Sequence, residues 1–462
     1  MDELFSAAEL ADITGGTLLG DATQSCTHVC IDSREATDGS LFVPLPGRHT
    51  DGHEFIEDAM RRGASVALVA RDYAGFKELL KQCDAHPGAL CLVSSPLRAM
   101  QQLARAHLSR FPSLLRIGIT GSNGKTTTKE MTAAILARHG STFFTQGNYN
   151  SDIGLPLAAF GVDHNHRLAV FEMAMNRRGE IAELADIVRP QIAVITNIGT
   201  AHSGLVGSQD QIAYEKKQVF REFLDSHRAV LYEEEPYRGF LAQGVRGHVV
   251  YYGPENTPGL ESASDLGIDG YRIVLEGEEI HVRLPGRFNL LNALAAIRIA
   301  QLVGCSVREI KDGLESMEPA FGRGQILRGA VTVLQDAYNA NPESMRSAIR
   351  FMSDLTWTGR KIIVLGAMKE LGSEGEEQHV DIASLAAAME PHRLFLFGEE
   401  FREAGEALER SGSGDQVMWT RDFTKLAEEL TETARSGDVV LLKGSRSMEL
   451  ERLVPYLQEG EG

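Results

Sequence analysis

The chain has 462 residues, enough for about three domains at ~150 residues each. At 43% hydrophobic and 24% charged it can build cores, which excludes disorder as its main state. Asp and Glu outnumber Lys and Arg by 64 to 46, giving a formal charge of −18, which excludes a body that binds nucleic acid nonspecifically. Anionic substrates would need basic residues gathered locally. The five cysteines (Cys26, Cys30, Cys83, Cys91, Cys305) form no CxxC pair and no zinc-finger spacing, so they read as free thiols in a reducing cytoplasm. The first residues carry acids and no long apolar run, unlike a secretory signal. No stretch approaches the roughly 18 apolar residues of a membrane span.

An α/β fold in three blocks is expected. The first, residues 1–96, mixes strand-like runs at Leu41–Leu45, Ser65–Ala70 and Leu90–Val93 with a helix over His53–Arg62, separated by dense turn signals. It reads as a small α/β domain. In the second, residues 97–316, strand-like runs lead into polar or Gly-rich turns and then helices. Leu114–Thr120 leads into GSNGKTT, Leu168–Phe171 into Glu172, and Ile192–Thr196 into NIGTAH. This alternation predicts βαβ units and a mainly parallel sheet with ligands at the carboxyl ends of its strands. Tyr251–Arg283 interrupts it and reads as an antiparallel edge excursion, with runs at Tyr271–Leu275 and Ile280–Leu284. The third block, residues 317–462, repeats the alternation. Its strands are expected at Val331–Gln335, Lys361–Leu365, Arg393–Phe397 and Val439–Leu442. Its helices are expected near Ser344–Ser353, Val380–Glu390 and Phe423–Thr433, a second, Rossmann-like layer.

The strongest chemical signal is Gly121-Ser122-Asn123-Gly124-Lys125-Thr126-Thr127, which follows a strand and opens a helix over Thr126–Arg138. Glycines let backbone N–H groups close around phosphates, and the helix N-terminus adds positive dipole. Lys125 would reach the terminal phosphates and Thr126 would bind Mg²⁺. The spacing departs from the common G-x₄-GK[ST], because residue 119 is Ile. Glu172, at the end of a neighbouring strand, suits a second Mg²⁺ contact. His202 ends another strand turn, and its position in that row is the reason to prefer it among 14 histidines. Gln211–Phe220 reads as a helix bearing Lys216 and Lys217, by composition a solvated basic face. Asp336-Ala337-Tyr338-Asn339-Ala340-Asn341-Pro342 joins a strand to a helix, as a polar recognition loop, a helix N-cap, or both. Lys443-Gly444-Ser445-Arg446-Ser447-Met448 is a second turn suited to an anion.

Together these motifs resemble the Mur ligase family, over nearly the whole chain and in order. The resemblance is carried by DSR at 32–34 and DGH at 51–53, by TGSNGKTTTKEM, QGNYNSDIGLPL, FEMAMNRRGEI, ITNIGTAHSGLVGS and RFNLLNALAA, and by GRGQ, DAYNANPESM, VLGAMKELG and LLKGSRSMELE. The NANP and KGSRSM turns point to the branch that adds a D-Ala-D-Ala dipeptide. The resemblance implies a cytoplasmic, monomeric, ATP-dependent amide ligase of peptidoglycan precursor synthesis. ATP would phosphorylate the terminal carboxylate of UDP-MurNAc-tripeptide, and the amine of D-Ala-D-Ala would attack the acyl phosphate. The three blocks become a UDP-sugar domain, an ATP domain and a dipeptide domain.

By position, the resemblance makes Lys125, Lys216, His202 and Arg323 catalytic. Lys125 and Thr126 would hold the β/γ-phosphates and one Mg²⁺, with Glu172 and His202 on a second. Lys216 matches a lysine carbamylated by CO₂. Asn289 and Asn292 match nucleotide-side asparagines, Arg323 an arginine that closes onto the γ-phosphate, and Asp336 an acid near the ATP ribose. Tyr338, Asn339, Asn341, Lys443, Ser445 and Arg446 are candidates for the dipeptide, and Ser33, Arg34, Asn148 and Asn150 for the UDP-sugar peptide. Asn123, Phe288, Ala174 and Ala367 depart from the family's usual Ser, His, Gly and Asp; little effect is expected at Asn123, whose side chain need not touch phosphate. The sister ligase adding the third amino acid, a folylpolyglutamate synthase and a non-catalytic nucleotide-binding paralogue are the alternatives. The NANP turn, the DSR and DGH pattern, and the retained Lys125, Glu172, His202, Lys216 and Arg323 argue against them in turn.

Overall fold

The computed structural model describes residues 3–47, 50–83, 88–200, 207–319, 321–369, 371–372, 375–408, 410 and 416–458. The first sheet has five strands: β1 (Thr17–Leu19), β2 (His28–Cys30), β3 (Ser40–Phe42), β4 (Ala64–Ala70) and β5 (Ala89–Val93). Their order is β1-β5-β4-β3-β2, parallel except for β1 against β5. The strand expected to reach Leu45 stops at Phe42, because Pro44 and Pro46 have no N–H to give a ladder. The helix expected from His53 opens as a 3₁₀ turn, Gly52–Phe55, before Ile56–Arg61.

Helix α1 (Pro96–Ser109) follows, with Ser95 accepting from the Arg98 N–H and Pro96 in its first turn. Ala99, Met100 and Leu103 pack into the first sheet's core, and Ala104 and Leu108 into the next. Two cores therefore share one helix, and the division expected after residue 96 falls at its start.

The central sheet is parallel throughout. In chain order its elements are β6 (Leu115–Thr120), α2 (Lys125–His139), β7 (Thr142–Phe144), β8 (Leu168–Glu172), α3 (Glu180–Val188), β9 (Ile192–Ile195), α4 (Gln209–Lys217), β10 (Arg228–Tyr232) and β11 (His248–Tyr252). The strand order is β11-β10-β9-β6-β8-β7. Strands such as LAVFE and IAVI are apolar almost throughout because helices cover both faces. Register places Ile119 beside Glu172 and Thr120 beside Ile195. The loops after β6, β8 and β9 thus form one row at the carboxyl edge, where the chain's direction across the sheet reverses.

The segment expected as an edge excursion is a separate antiparallel sheet of three strands, β12 (Leu260–Asp265), β13 (Tyr271–Leu275) and β14 (Glu278–Val282). Its alternate residues Tyr271, Ile273, Leu275, Ile280 and Val282 pack onto the central core instead of extending the central ladder. Two helices complete this part, α5 (Arg287–Val303) and α6 (Val307–Glu315).

The third sheet contains β15 (Gln325–Leu327), β16 (Thr332–Asp336), β17 (Lys361–Gly366), β18 (Arg393–Phe397), β19 (Val417–Thr420) and β20 (Val439–Lys443). Its order is β15-β16-β20-β17-β18-β19, parallel except for β15. Among its helices are α7 (Pro342–Asp354), α8 (Gly375–Ala388) and α9 (Phe423–Thr433). The short strands β15 and β19, with apolar runs of only two and three residues, are not among the expected strands. Among the described residues no helix is long and apolar enough to cross a membrane. Cys26, Cys30, Cys91 and Cys305 are free thiols, the first three buried.

Candidate active site

The loop between β6 and α2 is shaped by two glycines. Gly121 has φ +152° and a Cβ there would lie 1.8 Å from Thr196 Oγ1; Gly124 has φ +80° and a Cβ would lie 2.2 Å from Asn292 Oδ1. Both the backbone and the packing therefore require glycine. The loop is pinned from the β9 side. Asn123 N–H donates to Asn197 Oδ1 (2.9 Å), Thr196 Oγ1 donates to the Asn123 carbonyl (2.6 Å), and Gly199 N–H donates to Ser122 Oγ (2.8 Å). From the α5 side, Asn292 Oδ1 accepts from Thr128 Oγ1 (3.3 Å) and its Nδ2 donates to Asn289 Oδ1 (3.3 Å); Asn289 Nδ2 reaches the Pro285 carbonyl (2.8 Å). The two asparagines brace the phosphate loop and its helix.

Lys125 Nζ donates to the carbonyls of Gly121 (2.9 Å) and Ser122 (3.3 Å). Lys216, reaching in from α4, donates to the same Gly121 carbonyl (2.9 Å). The basic-face reading of this helix fails for Lys216, which is 1% exposed. Burial and the neighbouring Lys125 push its pKa well below the ordinary lysine value. Burial also lowers Lys125, opposed by the charge of Glu172 and reinforced by Arg323.

Glu172 is 2% exposed. Its Oε1 accepts from Thr126 Oγ1 (3.1 Å) and Asn150 Nδ2 (2.8 Å), while Oε2 is buried without a hydrogen-bond partner. Lys129, on α2 one turn beyond Thr126, places its fully buried Nζ 3.9 Å from that oxygen and donates to the Thr145 carbonyl (2.7 Å). A free carboxylate oxygen beside a threonine hydroxyl at a phosphate loop fits Mg²⁺, which takes one or two carboxylates and completes its shell with phosphate and water. No group of three or more His, Cys, Asp or Glu among the described residues forms an all-protein cage. His202 lies outside the described residues.

The third sheet's loops reach this row. Arg323 stacks 4.0 Å over the Tyr338 ring and lies close enough to Lys125 to lower its pKa. Asn341 Nδ2 donates to Asn123 Oδ1 (2.7 Å), so Asn123 has a partner the sequence did not suggest. Glu343 accepts from Thr200 N–H (2.8 Å) and Oγ1 (2.6 Å). Pro285, Phe288, Gly324, Leu334, Asp336, Ala348 and Phe351 line a small apolar pocket between α5 and the third sheet.

The remaining candidates divide. Lys443 is buried and pairs with Asp336 Oδ2 (2.7 Å) and the Asn339 carbonyl (3.3 Å), so its ammonium fixes the loop after β16. Asn339 Oδ1 accepts from the Ala340 N–H (2.9 Å). Ser445 Oγ accepts from the Lys369 N–H (3.0 Å) at the rim of a cleft of about 630 Å³ walled by Met368, Lys369, His379, Glu400 and Arg402. Arg446 pairs with Glu451 and faces Phe321. Asn150 belongs with Glu172, whereas Asn148 is exposed. Ser33 donates to Asp58 (2.9 Å) and Arg34 pairs with Asp32 (2.5 Å), both within the first sheet's region. Lys129, Asn197, Thr200 and Glu343 were missed. The spacing from Thr126 to Lys129, one helical turn, was the available signal for Lys129.

This is a phosphate-loop α/β protein in which a second, doubly wound layer docks onto the nucleotide loop of the first. It belongs to the Mur ligase family. Residues 25–108 match the model described as Mur ligase family, catalytic domain. Residues 119–300 match the Mur ligase middle domain, and 322–446 the Mur ligase, glutamate ligase domain. The chain is 40% identical over 458 residues to the UDP-N-acetylmuramoyl-tripeptide–D-alanyl-D-alanine ligase of Treponema pallidum, covering 99% of each. It is 32% identical to the Bacillus subtilis protein of that name, covering 97% of each. A crystal structure of MurF from Acinetobacter baumannii superposes with TM-score 0.88 at 28% identity, covering 98% of this chain and 99% of that one. MurF from Thermotoga maritima in complex with ADP superposes with TM-score 0.80 at 28% identity, covering 94% and 97%.

Proposed function

We propose that this chain is an ATP-dependent amide ligase that joins D-alanyl-D-alanine to UDP-N-acetylmuramoyl-tripeptide, giving the pentapeptide precursor of peptidoglycan. The observation that carries this reading is the phosphate loop with Glu172 and Lys216 beneath a third sheet that supplies Arg323, in a chain alike end to end to ligases of that name. Residues 1–96 would hold the UDP-sugar, 97–316 the ATP, and 317–462 the dipeptide.

A carboxylate is a poor acyl donor, and transfer of the ATP γ-phosphoryl group supplies a leaving group. The peptide carboxylate oxygen forms a bond to phosphorus as the bond to ADP breaks. The dipeptide amine then attacks the acyl carbon, the tetrahedral adduct expels phosphate, and the amine proton is lost to solvent or phosphate. Charge concentrates on the transferring phosphoryl oxygens, so fixed cations contribute most there. Lys125 would leave its carbonyl partners for the β- and γ-phosphates, with Arg323 approaching from the other side. The gap at Phe288 and Gly324, about 10 Å³, would have to open to take the adenine, with Asp336 at the ribose.

Thr126 would hold one Mg²⁺ and Glu172, with His202, a second; when bound, the metal supplies neutralisation of phosphate charge. Burial beside Lys125 lowers the Lys216 pKa and so favours the neutral amine that adds to CO₂, which supports carbamylation of this residue. The carbamate would place an anion where two lysines now share one carbonyl. Such an enzyme works as a cytoplasmic monomer, where ATP and the UDP-linked precursor are available.

The test is phosphate release from ATP with UDP-MurNAc-tripeptide, with D-Ala-D-Ala present or withheld. The expected result is release that requires both and a pentapeptide product by mass. Release with a free amino acid and a dipeptide precursor would move the chain to the branch that adds the third residue. No release with either pair would overturn the ligase reading.

A further inference from the structure

Asn341, in the loop expected to recognise the dipeptide, and Glu343 sit together at the start of α7. Their polar atoms point elsewhere. Asn341 Oδ1 caps α7 by accepting from the Ser344 N–H (2.9 Å), and its Nδ2 crosses to Asn123 Oδ1 in the phosphate loop (2.7 Å). Glu343 Oε1 accepts two bonds from Thr200, in the turn that leads on to His202. Its Oε2 is enclosed without a hydrogen-bond partner. The fit is close. A Cβ on Gly199 would lie 3.2 Å from both Glu343 Cδ and Ser122 Cβ, so the carboxylate, the phosphate loop and the turn after β9 meet around one glycine. Three bonds therefore tie the third sheet to two of the loops at the central sheet's carboxyl edge.

We propose that Asn341 and Glu343 are positioning residues that latch the third domain onto the phosphate loop and the Thr200 turn, and that they do not bind the dipeptide. Arg323 comes from the same side as the latch, so docking through Asn341 and Glu343 sets where Arg323 meets the phosphates. The arrangement makes phosphoryl transfer wait for closure. Asn123 then has a purpose of its own. Its amide oxygen is the receiving half of the latch, while its backbone N–H stays with the central domain on Asn197.

The inference rests on the proposed ligase reading, and the experiment separates the two. Glu343→Ala removes the acceptor for Thr200. Asn341→Asp keeps the oxygen that caps α7 and turns the donor into an oxygen facing Asn123. Glu343→Gln keeps an acceptor and serves as the rescue. Steady-state kinetics would be measured with UDP-MurNAc-tripeptide and D-Ala-D-Ala. Small-angle scattering would follow compaction with a nonhydrolysable ATP analogue and the tripeptide. For Glu343→Ala and Asn341→Asp the expected result is a fall of about tenfold or more in kcat, as for loss of charge-assisted or paired hydrogen bonds. KM for D-Ala-D-Ala stays within about twofold and compaction is lost, while Glu343→Gln recovers most of both. A rise of about tenfold in the dipeptide KM with compaction retained would overturn the proposal and return these residues to the substrate. Wild-type kinetics and compaction in both variants would also overturn it. If the wild-type protein ligates nothing, the ligase reading falls, and the scattering arm alone decides the latch.

Discussion

Three lysines within one turn of chemistry have three different fates. Lys125 is held by carbonyls it can exchange for phosphate, so Lys125→Ala is expected to abolish phosphoryl transfer while circular dichroism and the melting curve stay close to wild type. Lys216 is buried as an amine whose pKa is depressed from 10.5. The unfolded chain then binds the extra proton between the folded value and 10.5, so this residue destabilises the fold fully below that window and less as pH rises through it. Lys216→Met is expected to raise the Tm of the ligand-free protein at pH 7, and the gain should narrow towards pH 10; it should also eliminate ligation. Its carbonyl partner keeps Lys125, so no acceptor is orphaned. Lys129 is buried with partners at hand, Glu130 (2.9 Å), Glu172 (3.9 Å) and a backbone carbonyl. Lys129→Met leaves Glu172 buried without its nearest cation and is expected to cost about 3 kcal/mol in urea unfolding.

Elements meet most tightly where α6 crosses α2. A Cβ on Gly313 would lie 2.4 Å from Ile135 Cα, which is backbone and cannot swing aside. Gly313→Ala should push α2, and with it the phosphate loop, and cost about 2 kcal/mol or more by chemical denaturation. The helix α7 shows how one residue type serves two scales. Asn341 as N-cap and Pro342 in the first turn were legible from spacing alone, because capping is local. That the same side chain also reaches Asn123 was not, since its partner is far away in the chain and only the docking of two sheets brings it near. The three-stranded sheet over 260–282 shows the same limit. Alternation at Tyr271–Leu275 and Ile280–Leu284 marked two of its strands and not Leu260–Asp265, and alternation does not say whether a hairpin extends a ladder or lies across it.

At the scale of the whole molecule, the cores are not equally independent. Helix α1 contributes to the first and central cores together, whereas the third sheet is joined by the connection after α6, by Ile268 seated in its core and by the Arg328–Asp269 pair. Calorimetry is expected to show two transitions, one for the first and central parts melting together and one for the third part. A nucleotide analogue should raise the first by mass action. A single transition would mean that the contacts around Asn123 and Glu343, with Ile268 and the Arg328–Asp269 pair, hold the third part tightly enough to melt with the rest.

The amino-acid sequence by itself determined the parallel βαβ plan, the phosphate loop and the candidacy of Glu172, because apolar periodicity and glycine spacing act over a few residues. It also carried the family resemblance through all three blocks. The tertiary structure decided what each polar side chain touches. It buried Lys216 in a helix whose composition reads as a solvated face, and moved Asn150 to the Glu172 carboxylate. It also paired Lys443 with Asp336 and brought Asn341 to the phosphate loop. Hydrogen bonds and desolvation depend on partners brought together across long stretches of chain, and no local pattern encodes which loops a parallel sheet will place side by side.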